Sequence, residues 1–165
     1  MTHLESITRK IVTLDEAKQI VAEWKMAGEK IVFTNGCFDI IHKGHVSYLA
    51  KARDLGTKLI LGLNTDESVK RLKGANRPVK ELESRALTVA SFEYIDLVIP
   101  FSEDTPQKVI STLLPDVLVK GGDYKIDDIV GAKEVTANGG TVQTIDFVDG
   151  FSTTNYFKKL KDSTI

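Results

Sequence analysis

The sequence predicts an α/β fold, a doubly wound open parallel sheet of about five strands. Three observations lead there. Short apolar runs rich in β-branched residues alternate with segments of helical period along the whole chain. Caps, glycines and prolines punctuate the boundaries between them. The length, 165 residues, suits one domain, and no repeat, low-complexity tract or Pro/Ser-rich linker divides it. Residues 1–165 therefore read as a single domain, with 1–29 as a helical extension at its N-terminus.

The elements follow in order. Thr13 and Glu16 form a T-x-x-E capping-box pattern, Leu14, Ala17, Val21 and Trp24 share one helical face, and Gly28 is the stop. Ile31 to Thr34 reads as a buried strand. A helix runs from Gly44 to Leu55 and ends at Gly56. Lys58 to Leu63 is the second strand, followed by a short helix from Asp66 to Leu72 and a longer one from Leu82 to Phe92. Leu97 to Pro100 is the third strand. Pro106, at a first-turn position, leads a helix to Leu114, stopped before Pro115. Val117 to Val119 is the fourth strand. A helix from about Ile129 to Ala137, started by Asp127 and Asp128, precedes the fifth strand, Thr141 to Ile145, and Ser152 begins a last helix to about Leu160. Strand–helix alternation implies a parallel sheet covered on both faces by right-handed crossovers. In such sheets ligands lie beyond the carboxyl ends of the strands where strand order reverses. That rule singles out the loops after Thr34, Leu63, Val119 and Ile145.

Composition narrows the class. Lys plus Arg is 22 and Asp plus Glu is 23, a formal charge of -1, which gives no reason to expect a nucleic-acid or membrane partner. The single cysteine, Cys37, forms no intrachain disulfide and fits a reducing compartment. No secretory leader and no membrane-length apolar run is visible, so a cytoplasmic protein is expected.

The unusual residues fall in the singled-out loops. The first carries Thr34-Asn-Gly-Cys-Phe-Asp-Ile-Ile-His-Lys-Gly-His45. His42 and His45, with Gly44 between them, sit where a helix begins, and helix N-termini bind anions through free N–H groups. Gly36 and Gly44 let backbone approach a nucleotide or phosphate closely. Histidines there donate hydrogen bonds to phosphoryl oxygens as charge builds in a transition state. The plain alternatives are chance spacing or a metal pair, but no third ligand is evident, so no protein metal site is expected. The pair alone discriminates little; following a strand, inside N-G-x-F-D-x-x-H-x-G-H, it is specific.

That segment resembles the nucleotidyltransferase superfamily marked by H-x-G-H. Leu72-Lys-Gly-Ala-Asn-Arg-Pro-Val79, Glu103-Asp-Thr-Pro106, Leu118-Val-Lys-Gly-Gly-Asp-Tyr124, Lys133-Glu-Val135 and Asp149-Gly-Phe-Ser-Thr-Thr154 narrow the likeness. Together they resemble the ADP-heptose synthases, from about Lys30 to about Leu160. The resemblance implies a Rossmann-like fold and transfer of AMP from ATP to D-glycero-β-D-manno-heptose 1-phosphate, releasing pyrophosphate, in the making of the lipopolysaccharide core. In many members this domain follows a sugar kinase. The resemblance implies that His42, His45 and Lys73 act on the reacting phosphates. It places Asn35, Gly36, Cys37, Phe38, Gly44, Asn64, Lys120, Gly121, Asp123, Ser152, Thr153 and Thr154 along the nucleotide. Asp39, Arg71, Arg77 and Arg85 fall to the sugar phosphate. ATP and a sugar 1-phosphate are the implied partners, Mg²⁺ the implied cofactor, carried mainly by nucleotide phosphates, and a homodimer the common assembly.

Each assignment has a plainer rival. Arg71, Lys73 and Arg77 read from charge alone as a solvated loop face, Lys120 to Asp123 as a strand-to-helix turn, and Ser152 as an N-cap. Arg85 either touches substrate or pairs with Glu83 or Asp96. Cys37 reads as a packed cleft residue rather than a nucleophile, since no base adjoins it. His3 lies in a frayed terminus and Trp24 is a packing residue. Related cytidylyltransferases carry an arginine just before Ser152, where this chain has the stretch around Phe147, so the base is assigned by the adenylyltransferase likeness. The alternatives are a cytidylyltransferase for glycerol phosphate or a similar phosphorylated alcohol, and a non-catalytic nucleotide-binding partner of a sugar kinase.

Overall fold

In the computed structural model, which describes residues 1–122 and 124–163, the expected alternation is present. The elements are α1 (His3–Thr8), α2 (Leu14–Met26), β1 (Ile31–Gly36), α3 (Lys43–Arg53), β2 (Lys58–Asn64), α4 (Asp66–Lys73) and α5 (Leu82–Ala90). There follow β3 (Leu97–Phe101), α6 (Gln107–Leu113), β4 (Val117–Gly121), a 3₁₀ turn (Ile126–Asp128), α7 (Ala132–Ala137), β5 (Thr141–Ile145) and α8 (Thr153–Ser163). The five strands form one sheet in the order β3-β2-β1-β4-β5, and every pairing is parallel. This is a Rossmann-like α/β fold, as expected.

Alternation along the buried strands sends side chains to both faces. Ile31, Phe33, Ile60 and Ile99 pack with Ala17, Val21, Val109, Ile110 and Val135 under α2, α6 and α7. Val32, Leu59, Leu61 and Val98 pack with Leu49, Ala52, Ala86 and Val89 under α3 and α5. The chain builds outward from β1 through β2 to β3, then crosses back to β4 and on to β5. Strand order therefore reverses between β1 and β4, and the crevice there is the expected binding place.

Three differences from the sequence reading have physical causes. The stretch read as frayed holds α1, whose Thr2 and Glu5 form a reciprocal capping box, a second T-x-x-E signal in the sequence. The first 29 residues are also more than an appendage. Ala17 and Val21 enter the core, and Ile11 bridges Val98, with Val12 N–H donating to the Val98 carbonyl at 3.0 Å, so this segment covers the open edge of β3. The helix expected from Ile129 to Ala137 is divided at Gly131, whose φ is +84°; a Cβ there would lie 2.5 Å from Ile110 Cγ2, so close packing on α6 breaks the helix. Asp127 and Asp128 accordingly sit in the preceding 3₁₀ turn. Trp24 is half-buried against the core, with Lys58 Nζ 5.2 Å from its ring. Among the described residues no helix is long and apolar enough to cross a membrane.

The anchoring of α2 yields a stability prediction. Thr13 Oγ1 accepts from Glu16 N–H at 3.3 Å while Glu16 Oε2 accepts from Thr13 N–H at 2.7 Å. Thr13→Ala should cost about 1 kcal/mol. For a domain of this size the melting temperature should fall by about 2–4 °C, measured by scanning calorimetry.

Candidate active site

β1 runs to Gly36, two residues past its expected end, because Asn35 and Gly36 stay in register with Gly62 and Leu63. The chain then turns sharply. Phe38 adopts φ +45°, a disfavoured region for a bulky residue. Its ring folds back on Gly36, where a Cβ would come within 2.7 Å of Phe38 Cε2. Below the turn, Thr34 Oγ1 and Tyr48 Oη are 2.6 Å apart, joining β1 to α3. Burial pushes the Tyr48 hydroxyl up to about 12 against the opposing effect of that bond.

The two histidines start α3 by capping one another. His42 is the N-cap, and its Nδ1 accepts from Gly44 N–H at 3.1 Å. His45 Nδ1 reaches back and accepts from His42 N–H at 3.3 Å. Two imidazoles thus do what Ser and Glu do in an ordinary capping box. With Nδ1 accepting, the proton of each neutral ring resides on Nε2, which becomes an outward donor. The ring centroids are 3.9 Å apart. Gly44 is required sterically, since a Cβ there would lie 2.8 Å from His42 Cε1. Burial, then the repulsion that a second proton on the His42–His45 pair would meet and the Lys73 ammonium, depresses His45 to about 4. Burial also lowers His42.

Three adjoining cavities of about 230, 470 and 450 Å³ open around this helix start and the β1/β4 crevice. Lys73 borders all three, and Lys120, Asn35, Gly36 and Cys37 border the first two. The first also holds Phe38, Asp39, Arg77 and Gly121, and the second Asn64. The third joins His42, Gly44 and His45 to Ser152, Thr153 and Thr154. Ser152 Oγ accepts from Asn155 N–H at 3.1 Å, an N-cap for α8. Residues more than a hundred positions apart in sequence therefore line one cavity. Asp123 lies outside the described residues.

Burial raises the Cys37 thiol even against the nearby cations Lys73, Arg85 and Arg77, so it is a thiol rather than a thiolate. Burial lowers Lys120, opposed by Cys37, and Lys120 Nζ lies 5.7 Å from the Tyr124 ring. Arg77 lies 4.9 Å over the Phe157 ring, and its Nη2 is buried without a hydrogen-bond partner among the described residues.

Three residues expected at substrate are engaged elsewhere. Arg71 is exposed, with Nε on Asp104 at 2.8 Å and Nη2 on the Ser102 carbonyl, so it ties α4 to the segment after β3 and borders none of the three cavities. Arg85 pairs with neither Glu83 nor Asp96. It is buried, with its donors on Cys37, Asn64, Lys80 and Asp66. Asp39 borders the first cavity, yet its carboxylate accepts from Val79 N–H at 2.8 Å, Lys80 N–H at 2.9 Å and Arg77 Nε at 2.9 Å. Burial alone would raise its pKa, but these three donors outweigh it and hold the carboxyl below its ordinary value. Asp39 thus anchors the loop that carries Arg77. Asn64 Nδ2 likewise donates to Ser68 Oγ at 3.0 Å.

The aromatic wall was missed. Tyr156 stacks on His42 with centroids 5.6 Å apart and planes at 14°, and Phe151 lies 6.5 Å from the same ring. Phe147 covers Gly121, where a Cβ would be 2.7 Å from its Cε1. No local period marks these residues, because their partners lie on other elements. Among the described residues no three His, Cys, Asp or Glu gather as a group that could hold a metal ion.

Residues 33–159 match the cytidylyltransferase-like family. The chain is 54% identical over 161 residues to the bifunctional protein HldE of Actinobacillus pleuropneumoniae serotype 5b, covering 98% of this chain and 34% of that protein. It is 56% identical over 159 residues to HldE of Haemophilus ducreyi, covering 96% and 34%. The chain therefore spans about a third of the length of the curated relatives it matches. A solved structure described as the lipopolysaccharide core biosynthesis protein from Thermoplasma volcanium superposes with a TM-score of 0.60 at 28% identity, covering 73% of this chain and 98% of that one. A parallel sheet with reversed strand order, paired histidines at a helix start and a family match over most of the chain agree: it belongs to the cytidylyltransferase-like family and is a nucleotidyltransferase.

Proposed function

We propose that the chain transfers AMP from ATP to D-glycero-β-D-manno-heptose 1-phosphate. A phosphate oxygen of the sugar attacks the α-phosphorus, the bond to the β-phosphate oxygen breaks, and ADP-heptose and pyrophosphate leave. The observation that carries this reading is the reciprocal capping of His42 and His45, which leaves two neutral Nε2–H donors beside a cavity rimmed by Lys73 and Ser152–Thr154. Such donors act on phosphoryl charge as it develops. Lys73, bordering all three cavities, can follow charge from the attacking phosphate to the leaving pyrophosphate. Arg77 brings an unpartnered buried N–H to the same cluster, and Lys120 a second ammonium. No covalent intermediate is needed. Mg²⁺ arrives with the nucleotide, and the reaction takes place in the cytoplasm. Support for the sugar comes from the HldE relatives, and the description of the Thermoplasma protein supports a place in lipopolysaccharide core synthesis.

Pyrophosphate release from the purified chain, with ATP or CTP against a panel of sugar 1-phosphates and glycerol phosphate, tests the reading. Turnover with ATP and the heptose 1-phosphate is expected. Preference for CTP and glycerol phosphate would replace it with the cytidylyltransferase alternative.

His45→Ala should fold yet lose about 3–4 kcal/mol of barrier lowering, a fall in kcat of about 10²–10³. Turnover within threefold of wild type, roughly 0.7 kcal/mol, would remove the assigned role.

Lys73→Ala should lower kcat with little change in melting temperature, because an exposed residue at the end of α4 leaves no core cavity. Unchanged kcat and KM for both substrates would return Lys73 to a solvated role.

The depressed His45 also predicts a pH dependence without ligand. By NMR its ring should remain neutral until the pH nears 4. Since the unfolded chain takes up that proton near the ordinary value of 6.5, stability should decline as pH falls from 6.5 toward 4. His45→Gln should lessen the decline in chemical denaturation curves.

A further inference from the structure

We infer that Arg85 is a positioning residue, whose buried guanidinium holds the carboxyl ends of β1 and β2 in the placement that forms the nucleotide cleft. Its activity readout rests on the nucleotidyl-transfer reading, whereas its binding readout needs only ATP. Arg85 is 1% exposed and the largest of the fully buried side chains. It borders none of the three cavities, so any effect on a ligand passes through other residues.

Its four hydrogen bonds reach the walls of the site. Nη1 donates to the Cys37 carbonyl at 2.8 Å and to the Asn64 carbonyl at 2.7 Å. Nε donates to the Lys80 carbonyl at 3.0 Å, and Nη2 to the Asp66 carboxylate at 2.6 Å. The β1–β2 register ends at Gly36 opposite Leu63. Cys37 and Asn64 are the next residue of each chain, so Arg85 joins β1 to β2 one position beyond their ladder. A single nitrogen bridging both carbonyls stands in for the missing rung.

The Cys37 carbonyl shares a peptide plane with the Phe38 N–H, so fixing one orients the other. Phe38 is held at φ +45°, a conformation that persists only when its surroundings over-determine it. Its ring meets Gly36 and lies 5.2 Å from the His45 ring. The hold on Cys37 thus reaches the histidine through one aromatic contact. Arginine suits the place because its planar fork serves diverging acceptors together, and a lysine ammonium does not span them. The Lys80 bond also steadies the loop that Asp39 anchors.

The test uses the full chain with Arg85→Lys and Arg85→Ala. Near-UV circular dichroism and melting curves establish folding, calorimetry gives ATP affinity, and pyrophosphate release gives kcat and each KM. Arg85→Lys should bind ATP about tenfold or more weakly and lose at least as much in kcat at temperatures well below its melting point. Millimolar methylguanidinium should restore part of the activity of Arg85→Ala, and methylammonium should not. The lysine variant keeps the charge and decides the matter if the alanine variant does not fold. ATP binding and turnover by Arg85→Lys within about threefold of wild type would overturn the inference, as would a loss confined to the melting temperature. Equal rescue by both cations would also overturn it, since charge alone would then suffice. A wild-type chain that binds ATP without releasing pyrophosphate would sink the proposed reaction and leave the binding test of Arg85 standing. A wild-type chain that does not bind ATP would sink both.

Discussion

The reversal of strand order between β1 and β4 is the constraint on which the rest of the structure depends. The two strands lie side by side, but their connections leave toward opposite faces: β1 is followed by α3, and β4 leads to α7. Diverging connections open a crevice that neither loop fills. The start of α3, the lysine at the end of β4 and the opening of α8 meet there because each follows a carboxyl strand end. A parallel sheet buried on both faces offers few other places where backbone N–H groups and charged side chains remain available to a polar ligand.

Within that crevice the charges are divided between residue types. Lys73, Arg77 and Lys120 bring the cationic side-chain types to the first cavity. Burial and the neighbouring cations keep His45 neutral, so the histidines contribute direction rather than net charge. A neutral imidazole with a fixed Nε2–H costs little reorganisation when charge moves past it. The same burial that lowers His45 raises Cys37, which explains why a cysteine beside several cations remains a thiol.

Carboxylates in the vicinity hold the scaffold. Asp39 ties three donors of one loop to the start of the β1–α3 turn, and Asp66 takes one edge of the Arg85 guanidinium. Asp104 occupies Arg71 at the outer margin. Acidic side chains so engaged are not free to pair with the remaining cations. The aromatic residues near α8 do similar work by shape, with Tyr156 stacked on His42 and Phe157 beneath Arg77.

The sequence by itself determined the alternation of elements, the parallel sheet and the loop containing His42, Gly44 and His45, because these follow from local period, capping chemistry and glycine placement. The capping box of α2 and the N-cap Ser152 were legible for the same reason, and the one at Thr2 and Glu5 carried an identical signal. Tertiary structure alone decided which cations face the cleft. Arg71, Arg77 and Arg85 lie within fifteen residues of one another, yet one is exposed on Asp104, one faces the cavity and one is buried under the strand ends. Their side chains are long enough to reach several partners, so the outcome depends on acceptors brought close by distant elements. The break at Gly131 and the cover over β3 have the same origin, since contacts with Ile110 and Val98 exist only once the sheet has assembled. Local sequence sets backbone preference over a few residues; the partner of a flexible charged side chain is set by packing across the whole fold.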